Sequence, residues 1–155
     1  MNLTVVRTWG FSNGGSGTFQ PAPGVYDEAV FAHFDRVIKE AGDRNLKLMV
    51  TFVNNWDDFG GMCMYSRWCN ATILNYDKCS TNAGPNTSSA AAHDAFYNDS
   101  CTQGIYKDYV AHVLNRNNTL TGVLYKDDPT IFAWQLANEP RARSNSSGQM
   151  LYDWI

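Results

Sequence analysis

The sequence predicts an α/β fold with a parallel sheet, arranged as part of a barrel rather than as an open nucleotide-binding sheet. Three observations predict it. Apolar runs of strand length at 3–9, 46–53 and 130–139 alternate with stretches of helical spacing at 26–42 and 102–115, and repeated strand–helix units imply a parallel sheet. No Gly-x-Gly-x-x-Gly or Walker loop follows any of these runs, which disfavours a nucleotide-binding sheet. Each run also ends in a polar or charged cluster, and barrels build function at the carboxyl ends of their strands.

The first run, Leu3 to Trp9, reads as a short buried strand. It carries Arg7, a residue that is costly to bury unpaired and that suits a clamp on a carboxylate. A Gly/Ser-rich turn over 10–17 and a stiff Pro21-Ala22-Pro23-Gly24 connector follow. In 26–42, Val30, Phe34, Val37, Ile38 and Ala41 recur at three- and four-residue spacing, as on one face of a helix. Asp27 and Glu28 favour its first turn, and Gly42 is a candidate stop. His33 reads as a helix-surface histidine. The run 46–53 is the next strand, reached by a crossover long enough for a parallel pair.

From 54 to about 101 no clean period emerges, and the stretch reads as a long Cys-rich loop inserted between elements. It holds Cys63, Cys69, Cys79 and Cys101. Two disulfides in any of three connectivities would hold it. A zinc site is disfavoured, because the gaps of five, nine and twenty-one residues contain no close Cys pair. Helical spacing returns over 102–115, with Ile105, Tyr109 and Val113 on one line and Tyr106, Val110 and Leu114 on the next. Turns lead to the strand at 130, which Pro140 must end at or just before Glu139. The tail closes with the start of another helix at Met150–Ile155.

The 155 residues, with net charge −3, suggest one domain. The acidic balance and the absence of a Lys/Arg cluster argue against a nucleic-acid partner. No apolar run reaches the ~18 residues of a membrane span. No cofactor or metal is expected. The four Cys and the six Asn-x-Ser/Thr sequons, at Asn2, Asn70, Asn86, Asn98, Asn117 and Asn145, point to a secreted, extracellular glycoprotein. Met1 leads into no signal peptide, so export implies a longer precursor.

Asn138-Glu139-Pro140-Arg141 alone is also what an ordinary strand-to-loop exit looks like. Other segments stand in order with it: Val6 to Phe11, Phe52 to Gly61, Thr121-Gly122 through Ile131, and Phe132 to Arg141. Together they resemble strands two to four of the endo-β-mannanases of glycoside hydrolase family 5, over nearly the whole chain apart from the Cys-rich stretch. The resemblance implies a (β/α)8 barrel, here truncated at both ends, and retaining hydrolysis of β-1,4-mannosidic bonds in a plant β-mannan by a protein that is monomeric at full length. It implies Glu139 as acid/base and Asn138 as the ligand of the sugar 2-hydroxyl. Arg7 would orient the nucleophile carboxylate, and Arg141 and Trp56 would lie along the cleft. Retaining glycosidases need two carboxyls about 5–5.5 Å apart. The family's nucleophile is a Glu on strand seven, outside this chain, so residues 1–155 alone are expected to be inactive. The alternatives are a mannan-binding remnant, in which Trp9, Trp56 and Trp68 stack on sugars, and another family 5 β-glycanase such as an endoglucanase.

Overall fold

The computed structural model describes residues 3–70, 79, 84 and 87–155. Its elements, in chain order, are β1 (Val5–Trp9), α1 (Glu28–Asp43), β2 (Lys47–Thr51), α2 (Gly61–Cys69), α3 (Ser88–Asn98), α4 (Ser100–Leu114), β3 (Ile131–Gln135) and α5 (Gln149–Trp154). The strands form one parallel sheet in the order β1-β2-β3. Val5 to Trp9 pair with Lys47 to Thr51, and Leu48 to Thr51 pair with Ile131 to Gln135 across a bulge at Leu48/Met49. A further parallel bridge joins Asn54 to Asn138, so pairing resumes beyond both strand ends.

Each long helix starts where the sequence supplies an acceptor for its free amides. The Asp27 carboxylate caps α1 through Ala29 N and Val30 N, and Asp99 caps α4 through Cys101 N and Thr102 N. α1 buries Phe31, Phe34, Ile38 and Ala41, whereas Val37, expected on that face, is exposed. Gly42 does not stop the helix. A Cβ there would meet Thr130 Oγ1 at 2.8 Å, so its bareness serves close packing, and the chain reverses at Asn45 with φ 55°. His33 lies exposed on the helix surface.

The core runs from Phe19, Phe31 and Phe34 through Phe52 and Val53 to Tyr65, Phe96 and Tyr109. Burying each such side chain contributes roughly 1.5–3 kcal/mol. Across it Arg116 donates to both Asp35 oxygens at 3.0 and 2.9 Å, and Tyr125 and Thr119 donate to the same carboxylate. Burial alone would raise the Asp35 carboxyl; these bonds outweigh it and hold it below its usual range.

Two expectations need correction. The 54–101 stretch is no unbroken loop: it holds α2, α3 and the first residues of α4. α2 lacks a side-chain cap and is held instead by Cys63–Cys79 and Cys69–Cys101 and by burial of Met62 and Tyr65. β1, expected to be buried, is exposed at Val5 (46%) and Val6 (40%), and Phe132 on β3 is 53% exposed. These are the two outer strands of the sheet, and the described residues cover those side chains only in part. Beside β3 an open groove of about 360 Å³ is lined by Tyr106, Val110, Leu114, Leu136 and Trp154. The sequons at Asn2 and Asn86 fall outside the described residues; Asn70, Asn98, Asn117 and Asn145 are exposed.

Candidate active site

At the carboxyl ends of β2 and β3 the parallel pairing brings two loops together. Asn138 N donates to Val53 O at 2.8 Å and Asn55 N to Asn138 O at 3.1 Å, which locks the backbone of one loop to the other. Glu139 follows in the left-handed region, φ 47°, a conformation costing of order 1–3 kcal/mol outside glycine. Pro140 does not account for this, because its ring biases the residue before it toward extended backbone.

The Glu139 carboxylate is half exposed and held on one oxygen. Trp56 Nε1 donates to Oε2 at 3.0 Å, and Arg141 Nη2 donates to the same oxygen at 2.9 Å. The guanidinium carbons of Arg141 and Arg143 lie 5.3 and 5.5 Å from the centre of the Trp56 ring, within cation–π range. Burial and the neighbouring Arg141 charge hold the Arg143 guanidinium below its usual range. Glu139, Trp56 and Arg141, each singled out in the sequence, are thus brought together in one cluster.

Asn138 belongs to a second, adjoining network. Its Nδ2 donates to Asn54 Oδ1 at 2.8 Å, and its Oδ1 accepts from Arg7 Nη2 at 2.7 Å. Arg7 also donates through Nε and Nη2 to Gln135 Oε1, at 2.9 and 2.7 Å, and Thr51 Oγ1 donates to that same oxygen at 2.8 Å. One side chain from each strand therefore meets on one face of the sheet. Arg7 is exposed rather than buried, and these donations go to amides rather than to a carboxylate.

Sequence reading missed Gln135 and Thr51, which looked like ordinary strand positions, and Asn54, which stood in the polar cluster after the strand at 46–53 without a role of its own. The alternation of Phe132, Trp134 and Leu136 against Ala133, Gln135 and Ala137 was the available signal, since it sets Gln135 apart on its face. Trp68 joins neither network; it packs edge-to-face on Tyr65 at 5.3 Å, against the core. Trp9 lies beneath Arg7, whose guanidinium carbon is 4.9 Å from its ring.

The loop bearing Trp56 depends on Gly61. A Cβ there, at φ 59°, would stand 1.9 Å from Trp56 O and 2.8 Å from Asn54 O. Only a bare residue lets α2 start against that loop, where Met62 N donates to Asn54 O at 2.9 Å.

Of the three Glu in the chain, two are engaged on α1: Glu28 with Arg116 and Glu40 with Arg44. Glu139 is the one that stands beyond a strand end. The arrangement offers a half-exposed carboxyl with two donors on one oxygen, next in the chain to a neutral amide and against a tryptophan. That is a set suited to proton transfer.

The family model described as "GH family 5 beta-mannosidase-like" matches residues 15–155. Mannan endo-1,4-beta-mannosidase 3 of Oryza sativa subsp. japonica is 45% identical over 99% of this chain, which covers 30% of that protein. Mannan endo-1,4-beta-mannosidase 3 of Arabidopsis thaliana is 44% identical over 99% of this chain, covering 34% of that protein. The chain thus spans about a third of the length of the curated relatives it matches. Among solved structures, the endo-1,4-beta-D-mannanase of Thermotoga petrophila superposes with a TM-score of 0.79 at 37% identity, over 97% of this chain and 41% of that one. The endo-1,4-beta-mannanase of Rhizomucor miehei gives 0.76 at 36% identity, over 98% and 42%. These neighbours have the (β/α)8 barrel fold, and the three parallel strands with their helices match a part of it.

Proposed function

Since the chain belongs to the glycoside hydrolase family 5 β-mannosidase-like family, we propose that the whole protein hydrolyses internal β-1,4-mannosidic bonds in mannan-type polysaccharides with retention of configuration. Glu139 is the acid/base. It protonates the departing glycosidic oxygen, then takes the proton of the water that attacks the glycosyl-enzyme intermediate. The nucleophile is a second carboxyl from outside residues 1–155. Asn138 donates to the sugar 2-hydroxyl, a bond that strengthens as positive charge grows on the ring. Arg7 orients the nucleophile from the far side of Asn138, while Trp56 and Arg141 wall the cleft next to Glu139. We also propose that the protein is secreted and carries N-glycans, on the strength of its two disulfides and exposed sequons.

The observation that carries this reading is the placement of Glu139 immediately beyond β3, one oxygen held by Trp56 and Arg141. Glu139→Gln in the full-length protein keeps the shape and removes the transferable proton. The expected outcome is a loss of kcat on mannan of roughly 10²–10⁴-fold, the usual worth of general acid/base catalysis, with the folded state kept. Near-wild-type turnover would remove Glu139 from the mechanism.

A further inference from the structure

Between the two disulfides lies α3, whose buried polar side chains are used by nothing described so far. His93 and Asp94 are 0% and 1% exposed. The Asp94 carboxylate accepts from Arg143 N at 2.8 Å, from Ser144 N at 2.6 Å and from Ser144 Oγ at 2.6 Å. Its other oxygen meets His93 Nδ1 at 2.8 Å. One turn on, Tyr97 Oη accepts from Arg141 N at 3.0 Å. Asp94 and Tyr97, at i and i+3 on one helix face, therefore grip the chain at 141, 143 and 144, just past Glu139. His93 reaches the other way: its Nε2 lies 3.2 Å from Asn55 O, the carbonyl next to Trp56. Both of its ring nitrogens face groups that only accept.

A helix made only to fill space would bury apolar groups here. This one buries a carboxylate and an imidazole, whose desolvation must be offset by bonds. Apart from the His93–Asp94 bond within the helix, those bonds run to the two loops whose side chains meet on the Glu139 oxygen. We infer that Asp94, with His93 and Tyr97, is a positioning residue for the acid/base, fixing the 139–144 loop against the Trp56 loop so that Trp56 and Arg141 converge on Glu139. The inference rests on the function proposed above for its kinetic consequence, but not for its geometric one.

The test uses the full-length protein as wild type, Asp94→Asn and Asp94→Ala. Asn keeps the shape and one accepting oxygen, so it keeps the test open if Ala fails to fold. The first readout is the Trp56 indole N–H resonance in ¹⁵N-tryptophan-labelled protein, assigned by its absence in Trp56→Phe. In folded Asp94→Asn this resonance is expected to shift or broaden as its bond to Glu139 loosens, while that of Trp134, stacked on Phe52 at 5.0 Å, stays in place. The second readout is steady-state kinetics on a manno-oligosaccharide. The expected result is a kcat lowered about 10-fold in Asn and about 100-fold in Ala, the scale of an ångström-size misplacement, with KM little changed. A merely structural Asp94 would lower the melting temperature and leave the Trp56 resonance and the kcat per folded molecule unmoved, and that result overturns the inference. If wild type does not cleave mannan, the proposed function fails, and the Trp56 resonance alone decides the geometry.

Discussion

Glu139 takes a backbone conformation that few side chains adopt, and its surroundings explain why the position tolerates it. The peptide before it is fixed by Asn138 N and O on β2-side backbone, and its carboxylate is held by Trp56 and Arg141. Trp56→Phe keeps the ring and deletes one donor. A bond to a charged group is worth about 1.5–3 kcal/mol, so kcat/KM on mannan is expected to fall by roughly one to two orders of magnitude. Loss of the ring in Trp56→Ala should add a rise in KM to that fall. Gly61→Ala acts on the same residue from behind, by driving a methyl into Trp56 O. Its expected effect is a strong drop in melting temperature with loss of the Trp56 resonance position, while an exposed Gly15→Ala, with nothing within 4 Å of the added carbon, reports the effect of backbone strain alone.

At the scale of elements, α2 and α3 are where sequence and structure part. The 3.6-residue period of α1 was plain because Phe34, Ile38 and Ala41 face a sheet while Arg36, Lys39 and Glu40 face water. α2 shows no such contrast: it is stitched at both ends by disulfides and buries most of its length, so pattern gave way to cross-links. α3 had a readable start, Thr87 followed by Ser88-Ser89-Ala90-Ala91-Ala92, with Thr87 Oγ1 capping Ala90 N. Its buried His93 and Asp94 broke the apolar face that the eye looks for. Removing Cys69–Cys101, which closes a loop of sequence separation 32, is expected to cost about 2–4 kcal/mol, and to loosen the α3 grip on the 141–144 loop before the sheet melts. Hydrogen exchange at Arg143 and Ser144 amides in Cys69→Ser/Cys101→Ser checks this. Two buried carboxyls set the acid limit of the same region. Asp35 and Asp94 are both held below their usual range, burial being outweighed by hydrogen bonds. A depressed folded-state pKa gives stability that is present above the ordinary carboxylate value of about 3.9 and is lost as pH falls through the lowered one. The melting temperature is therefore expected to fall steeply below about pH 4, and Asp35→Asn to start lower and show a shallower slope.

For the whole molecule, the parallel order of the strands and the Asn-Glu-Pro-Arg exit were legible, but the strand placed up to Glu139 ends at Gln135, with the isolated Asn54–Asn138 bridge beyond it, and is half exposed at Phe132. The Arg7–Gln135–Thr51 network was not legible, since it depends on which strand faces which. The exposed Val5, Val6, Phe132 and Leu136 lie along the outer strands of a sheet whose solved relatives are much longer. Residues 1–155 produced alone are expected to self-associate through these edges, as a concentration-dependent sedimentation coefficient would show; a stable monomer would contradict it. The central claim is that Glu139 works as acid/base across from a carboxyl elsewhere in the protein. It is tested most directly with Glu139→Ala in the full-length protein, an aryl β-mannobioside whose leaving group needs no protonation, and added azide. Without the base, the glycosyl-enzyme intermediate waits, and azide, which needs no deprotonation, attacks it. The account predicts accelerated turnover and a β-mannobiosyl azide, with configuration retained through two displacements. An α-azide would make Glu139 the nucleophile, and hydrolysis at the wild-type rate with no azide product would leave it no part in the chemistry.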